Sequence, residues 1–200
     1  MVQKLESYRE SPSQTAGPYV HIGCTPNFSG ITGVYPEDLG TTMITGDVSG
    51  QRITIKGTVY DGAGTALRDA LIEVWQADAN SKFAGKGGDT GFTGWGRSAG
   101  DMATGEFTFE TVKPGRVAWP DGRLQAPHVT FWIVARGINL GLHTRMYFAD
   151  EAPANAEDPI LTRLEHSQRI PTLLAQSEAD GTYRFDIHLQ GAQETIFFDI

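Results

Sequence analysis

The chain has a single cysteine, Cys24, among 200 residues, so no internal disulfide framework holds it together, and this usage fits a reducing cytoplasm. Positive charge is also scarce. Sixteen Lys and Arg face 24 Asp and Glu for a net charge of −8, which argues against nucleic acid as a partner, because phosphate binding needs a basic surface. No apolar run approaches the roughly 20 residues that span a bilayer, and the opening MVQKLESYRE lacks the apolar core of a signal peptide. The G-x-S-x-G elbow of a hydrolase and a phosphate-cradling glycine loop are both missing; Gly85-Lys86-Gly87-Gly88 is turn composition. These absences point to a cytoplasmic globular protein with no membrane or nucleic-acid role.

The length is enough for one domain with a real core, and 40% hydrophobic and 20% charged residues are those of an ordinary soluble protein. Twenty-four glycines and ten prolines, spread through the chain, favour many short strands joined by turns. Residues 1–50 read as an arm: they are rich in Gly, Pro and small polar residues, too polar to fold alone, and so lie over a body or reach a partner. The body, residues 51–200, begins with Arg52–Tyr60, where Ile53, Ile55 and Val59 alternate with Thr54 and Lys56. Ala70–Ala77, Glu106–Val112, His128–Ala135, Leu142–Phe148, Tyr183–Leu189 and Glu194–Ile200 read as further strands. Residues 78–104 read as a long loop of the kind that is functional or lies against another chain. Residues 157–176 are the best helical region, with Pro159 suited to a first turn and Pro171 bound to break or restart the helix. There is no internal repeat. The fold class is therefore all-β: a β-sandwich of mixed short strands with an N-terminal arm and one helical excursion.

The stretch Gln125–Phe148 concentrates the chemistry. On a strand, residues two apart share a face, so an H-x-H pair can put two imidazoles on one metal. Here that spacing carries His128 and Thr130, one imidazole and one hydroxyl, and a threonine hydroxyl is a poor ligand for a transition metal. His143 has no carboxylate neighbour at ligand spacing, and a lone histidine in a β-core is ordinarily hydrogen-bonded structure. Cys24 has no charged helper nearby in sequence, so a buried or inert thiol is expected. Arg136 ends an apolar strand before Gly137, so its guanidinium should sit at a rim, either in a surface salt bridge or bidentate to a ligand carboxylate. In the arm, Pro18 and Tyr19 make a plain turn or present a phenol and backbone groups to a ligand.

SQTAGPYVHIG, LIEVWQADA, VKPG, QAPHVTFWIVARGIN, LHTRMYF and YRFDIHLQGAQETIFFDI, in this order, resemble the intradiol ring-cleaving dioxygenases from about Ser11 to Ile200, most weakly between Thr25 and Ser49. Their wording is that of the alpha chains of the family's heteromeric members. Catalytic chains of the family bind ferric iron through two tyrosines and two histidines. The resemblance puts Phe83 and Val117 at the tyrosine positions, and His128 and Thr130 at the histidine positions. No tyrosine occurs between Tyr60 and Tyr147, so a slipped alignment would not supply one. The catalytic arginine position holds Gln125. Phe and Val cannot provide phenolate ligands, so this chain is expected to hold no metal alone and to contribute no catalytic residue.

The resemblance thus implies that Fe(3+) sits on a beta subunit and that this chain closes its substrate pocket in a higher-order alpha–beta oligomer. Arg136 would face the carboxylate of protocatechuate (3,4-dihydroxybenzoate), with Gly17, Pro18 and Tyr19 of the arm and nearby Thr15 completing the wall. The implied reaction is dioxygen-dependent opening of the ring to 3-carboxy-cis,cis-muconate, in aromatic catabolism through the beta-ketoadipate pathway. Two other readings compete: a free-standing intradiol enzyme, which the missing tyrosines disfavour, and a non-enzymatic β-sandwich binding module with the arm as a docking strap.

Overall fold

Alternating sequence becomes strand wherever one face can be buried. The computed structural model describes residues 14–17 and 19–199. In it, β1 (Arg52–Tyr60), β2 (Leu71–Trp75), β3 (Trp95–Ala99), β4 (Glu106–Val112), β5 (His128–Val134), β6 (Leu142–Phe148), β7 (Leu174–Ser177), β8 (Thr182–Arg184) and β9 (Ile187–His188) form one connected sheet path. The order is β3-β2-β5-β6-β7-β8-β1-β4, with β9 beside β1. The path folds back on itself as a nearly closed sandwich. The β2–β5–β6 half and the β1–β4 half face each other, and the short β7, parallel to β6 and antiparallel to β8, joins them at one edge.

Between the halves lies the main core. Ile53 and Ile55 of β1, Phe107 and Phe109 of β4, Val129, Phe131 and Ile133 of β5, and Met146 and Phe148 of β6 all belong to it. Phe131 is its hub, with ring centroids 5.9 Å from Phe107, 6.3 Å from Phe109 and 5.3 Å from Phe185. Gly57 lets the chain after β8 pass against β1, since a Cβ there would collide with the Phe185 carbonyl and the Phe107 ring. Because successive side chains alternate, the opposite face of β5 carries His128, Thr130 and Trp132, and that of β6 carries His143, Arg145 and Tyr147. This outer face holds the chemistry.

Four of the sequence expectations are corrected. The supposed loop 78–104 contains β3, because Trp95–Ala99 pairs with β2 residue for residue from Trp75↔Trp95 to Leu71↔Ala99. The helical excursion is not one helix: α2 (Ala152–Glu157) precedes three-residue and seven-residue 3-10 turns, Leu161–Arg163 and Ser167–Leu173, before β7. Pro159 and Pro171 prevent a continuous ladder there. These turns pack Ala154, Leu161 and Leu173 around Tyr147 and Ala126 in a second, smaller core outside β6. Finally, residues 194–199 form no strand and meet the sheet through the bridge His143↔Phe198 and a bond from the Thr195 N–H to the His188 carbonyl. Tyr183–Leu189 is likewise two short strands, β8 and β9.

Residues 14–17 and 19–50 contribute α1 (Val20–Cys24), a bridge from Ile44 to Phe92, and Met43, which is buried in the main core. Among the described residues no helix is long and apolar enough to cross a membrane.

Candidate functional site

Two places on the surface gather the residues singled out by sequence. The first is a pocket of about 120 Å³ on the outer face of β2, β5 and β6. Phe83, Val117, Gln125, His128 and Thr130 all line it. Positions scattered over nearly fifty residues of sequence therefore meet at one point, and strand register explains how. Thr130 sits opposite Trp75 on β2 and opposite Arg145 on β6. The chain after β2 brings Phe83 back over Trp75, their rings stacked within 5° at 6.3 Å. The segment between β4 and β5 returns so that the Gln125 N–H donates to the Val117 carbonyl at 2.8 Å.

The histidine in this pocket is fixed. His128 Nδ1 lies 2.8 Å from the Ala126 carbonyl, which can only accept, so Nδ1 carries the proton and Nε2 is left as the acceptor. Burial, and then the nearby Arg145 cation, push its pKa down to about 4, leaving the ring neutral at ordinary pH. The carbonyl contact is in turn held by Asp158, fully buried, whose Oδ2 accepts from the Ala126 N–H at 2.7 Å. Oδ1 of Asp158 accepts from the N–H groups of Ile160 and Leu161. Tyr147, packed beside His128 at 5.6 Å, has its phenol pKa raised by burial and by Asp158.

The sequence reading missed Arg145. Its Nη1 donates to Gln125 Oε1 at 2.7 Å, so the guanidinium lies in the pocket. A charged residue in an alternating strand looks like a solvent-facing position, and only the β5–β6 register reveals that it faces Thr130. The donor set does not fit ferric iron. It offers one neutral imidazole and one hydroxyl, two hydrocarbon side chains where phenolates would be needed, and a resident cation that repels another. Among the described residues, no group of three or more His, Cys, Asp or Glu is placed to hold a metal ion.

The second place is where the arm meets the end of β5. Thr15 Oγ1 donates to the Ala135 carbonyl at 3.0 Å, next to Arg136. Arg136, its side chain 65% exposed, is ion-paired with Asp69, Nε to Oδ2 at 2.7 Å. Gly137 follows at φ +81°, a left-handed turn that suits glycine and swings the chain away from the arginine. Tyr19 stands at the N-cap position of α1, just after a bond from the Val20 N–H to the Gly17 carbonyl, and is 79% exposed. Tyr19, Arg68, Asp69 and Met102 share an open cleft of about 500 Å³. Pro18 lies outside the described residues.

Two residues that the sequence reading passed over tie this patch together. His21, buried, donates from Nε2 to the Asp69 carbonyl at 3.1 Å, and its Nδ1 lies 3.0 Å from the Thr25 hydroxyl. Asp69 binds Arg136 with Oδ2, while its buried Oδ1 has no hydrogen-bond partner among the described residues. His21 in the VHIG segment carried no spacing signal, and Asp69 lies 67 positions from Arg136, so neither was detectable as a neighbour.

The sequence profile of the dioxygenase family matches residues 24–191. A protocatechuate 3,4-dioxygenase alpha chain from Pseudomonas putida is 46% identical over 199 residues, covering 98% of each chain. A protocatechuate 3,4-dioxygenase beta chain from Burkholderia cepacia is 33% identical over 182 residues, covering 80% of this chain and 76% of that one. Among solved structures, 3-chlorocatechol 1,2-dioxygenase from Rhodococcus opacus 1CP superposes with a TM-score of 0.61 at 21% identity, over 79% of this chain and 67% of that one, a likeness of fold.

Proposed function

This chain belongs to the dioxygenase family, and we propose that within it the chain is the non-iron alpha subunit of a protocatechuate 3,4-dioxygenase. It works with a beta subunit that carries Fe(3+), and it is active only in that company. The reaction opens protocatechuate between its two hydroxyl-bearing carbons, placing both atoms of dioxygen in 3-carboxy-cis,cis-muconate. Iron supplies that chemistry from the partner; this chain supplies a wall. Thr15, Gly17, Pro18 and Tyr19 of the arm, with Arg136, form the part of the wall that meets the substrate. The N-terminal arm, residues 1–50, packs on the body or the partner, with Met43 seated in the main core, and residues 51–200 form the sandwich. The assembly is cytoplasmic.

One observation carries this reading: Phe83, Val117, Gln125, His128 and Thr130 line a single pocket, and only His128 among them is a ligand suited to iron. The positions that the family gives to its iron ligands thus meet in one pocket, but without a full ligand set. The exposed Arg136 supports the second half of the reading. Arg136 is ion-paired with Asp69, yet its side chain is 65% exposed, so its planar guanidinium, which suits a carboxylate, remains open to a ligand. At the mouth of a neighbour's pocket such a group orients an anionic substrate and helps exclude water.

Co-expression tests the proposal. The beta chain produced with this chain should take up oxygen on addition of protocatechuate, and this chain produced alone should not. Full oxygen uptake by this chain alone would overturn the subunit assignment. A stable pair with no iron and no activity would favour a binding module.

A further inference from the structure

We infer that the pocket beneath Arg145 is a binding site for a small oxyanion that carries its own hydroxyl, of the hydrogen carbonate class. The inference does not rest on the subunit assignment. Two complementary groups face the same space of about 120 Å³. Arg145 is a permanent cation, and among the described residues no Asp or Glu lies within ion-pair distance of it, whereas Arg97, Arg136 and Arg184 each hold a carboxylate. Its contacts are to the neutral Gln125 amide and Tyr147 phenol, and the buried Asp158 carboxylate is reached only through Tyr147, so no carboxylate pairs the charge directly. In a half-buried setting that is costly without an anion.

His128 sets the second requirement. It is 8% exposed, its Nδ1 proton is committed to the Ala126 carbonyl, and its Nε2 takes no hydrogen bond from the described residues. That lone pair repels an anion that has only acceptors and welcomes one with an O–H to donate. A ligand that satisfies both ends must therefore accept from the guanidinium and donate to the imidazole. Thr130, at the same level of the sheet, can turn its hydroxyl either way. The space holds a few waters or one small oxyanion, given that a water occupies about 30 Å³ of liquid. Trp75 and Phe83 wall it and keep the charged groups from full hydration.

The test uses the protein as isolated, crystallised near neutral pH and soaked in millimolar hydrogen selenite or in bromide, both visible by anomalous scattering. Hydrogen selenite is a monoanion with a hydroxyl; bromide is a monoanion without one. The expected result is a selenium peak between Arg145 and His128 and no bromide peak there. Arg145→Gln should weaken the selenite affinity roughly tenfold or more, as loss of one charge-assisted hydrogen bond does. No selenium peak, an equal bromide peak, or a peak unchanged in Arg145→Gln overturns the inference. The comparison of the two anions on the unaltered protein decides the case even if the variant does not fold.

Discussion

Arg145 and Gln125 meet across the outer face of the sandwich, Nη1 to Oε1 at 2.7 Å. The contact places a guanidinium within the pocket where the intradiol pattern calls for a metal, beside the imidazole of His128. A chain that kept this pocket for iron would not be expected to keep a cation in it. Under the proposed function, the interaction with substrate falls to the arm and Arg136.

That assignment gives a kinetic prediction. In the assembled enzyme Arg136→Ala should raise KM for protocatechuate roughly tenfold, the effect of losing a charge-assisted hydrogen bond of about 1.5–3 kcal/mol, with iron content unchanged. Steady-state oxygen uptake checks it. An unchanged KM would make Arg136 a rim charge paired with Asp69 and nothing more.

Thr130→His supplies the missing half of the H-x-H pair. It should not load the chain with iron, because Phe83 and Val117 still offer no phenolate and Arg145 remains. Metal analysis after incubation with ferric iron reads the outcome; stoichiometric loading would contradict the argument from donor chemistry.

His128 makes stability depend on pH in a defined direction. Its pKa is about 4 in the folded chain against an ordinary 6.5, so between those values the unfolded chain binds the extra proton. The contribution is fully present above about pH 6.5 and is lost as pH falls toward 4, up to about 3 kcal/mol. Urea unfolding at a series of pH values should show the fall, and His128→Gln should flatten it. Equal slopes for the two proteins would show that another group governs this range.

Phe131 touches Phe107, Phe109 and Phe185 and is fully buried. Phe131→Ala should destabilise the chain by about 3–5 kcal/mol, measured from the denaturant midpoint. A change under about 1 kcal/mol would mean that the two halves of the sandwich do not depend on this hub.

The strands that pack one face against the core were legible in sequence, since burial writes its period of two into β1, β4, β5 and β6. Trp95–Ala99 was not, because WGRSA has little apolar alternation and is held by β2 on one side. The stretch 157–176 looked helical from composition, yet its two prolines and the demand to cover Tyr147 made short 3-10 turns. The pocket positions were readable by resemblance to motifs, whereas Arg145, His21 and Asp69 enter through register and loop return, which local sequence does not encode.

The central claim is that this chain lacks an iron centre and completes one held by its partner. Its most direct test is the iron content and visible absorbance of the purified chain alone after ferric reconstitution, beside those of the assembled enzyme. The account predicts trace iron and no tyrosinate-to-iron band from the lone chain, and both iron and colour from the assembly. Stoichiometric, coloured iron on the lone chain would contradict it.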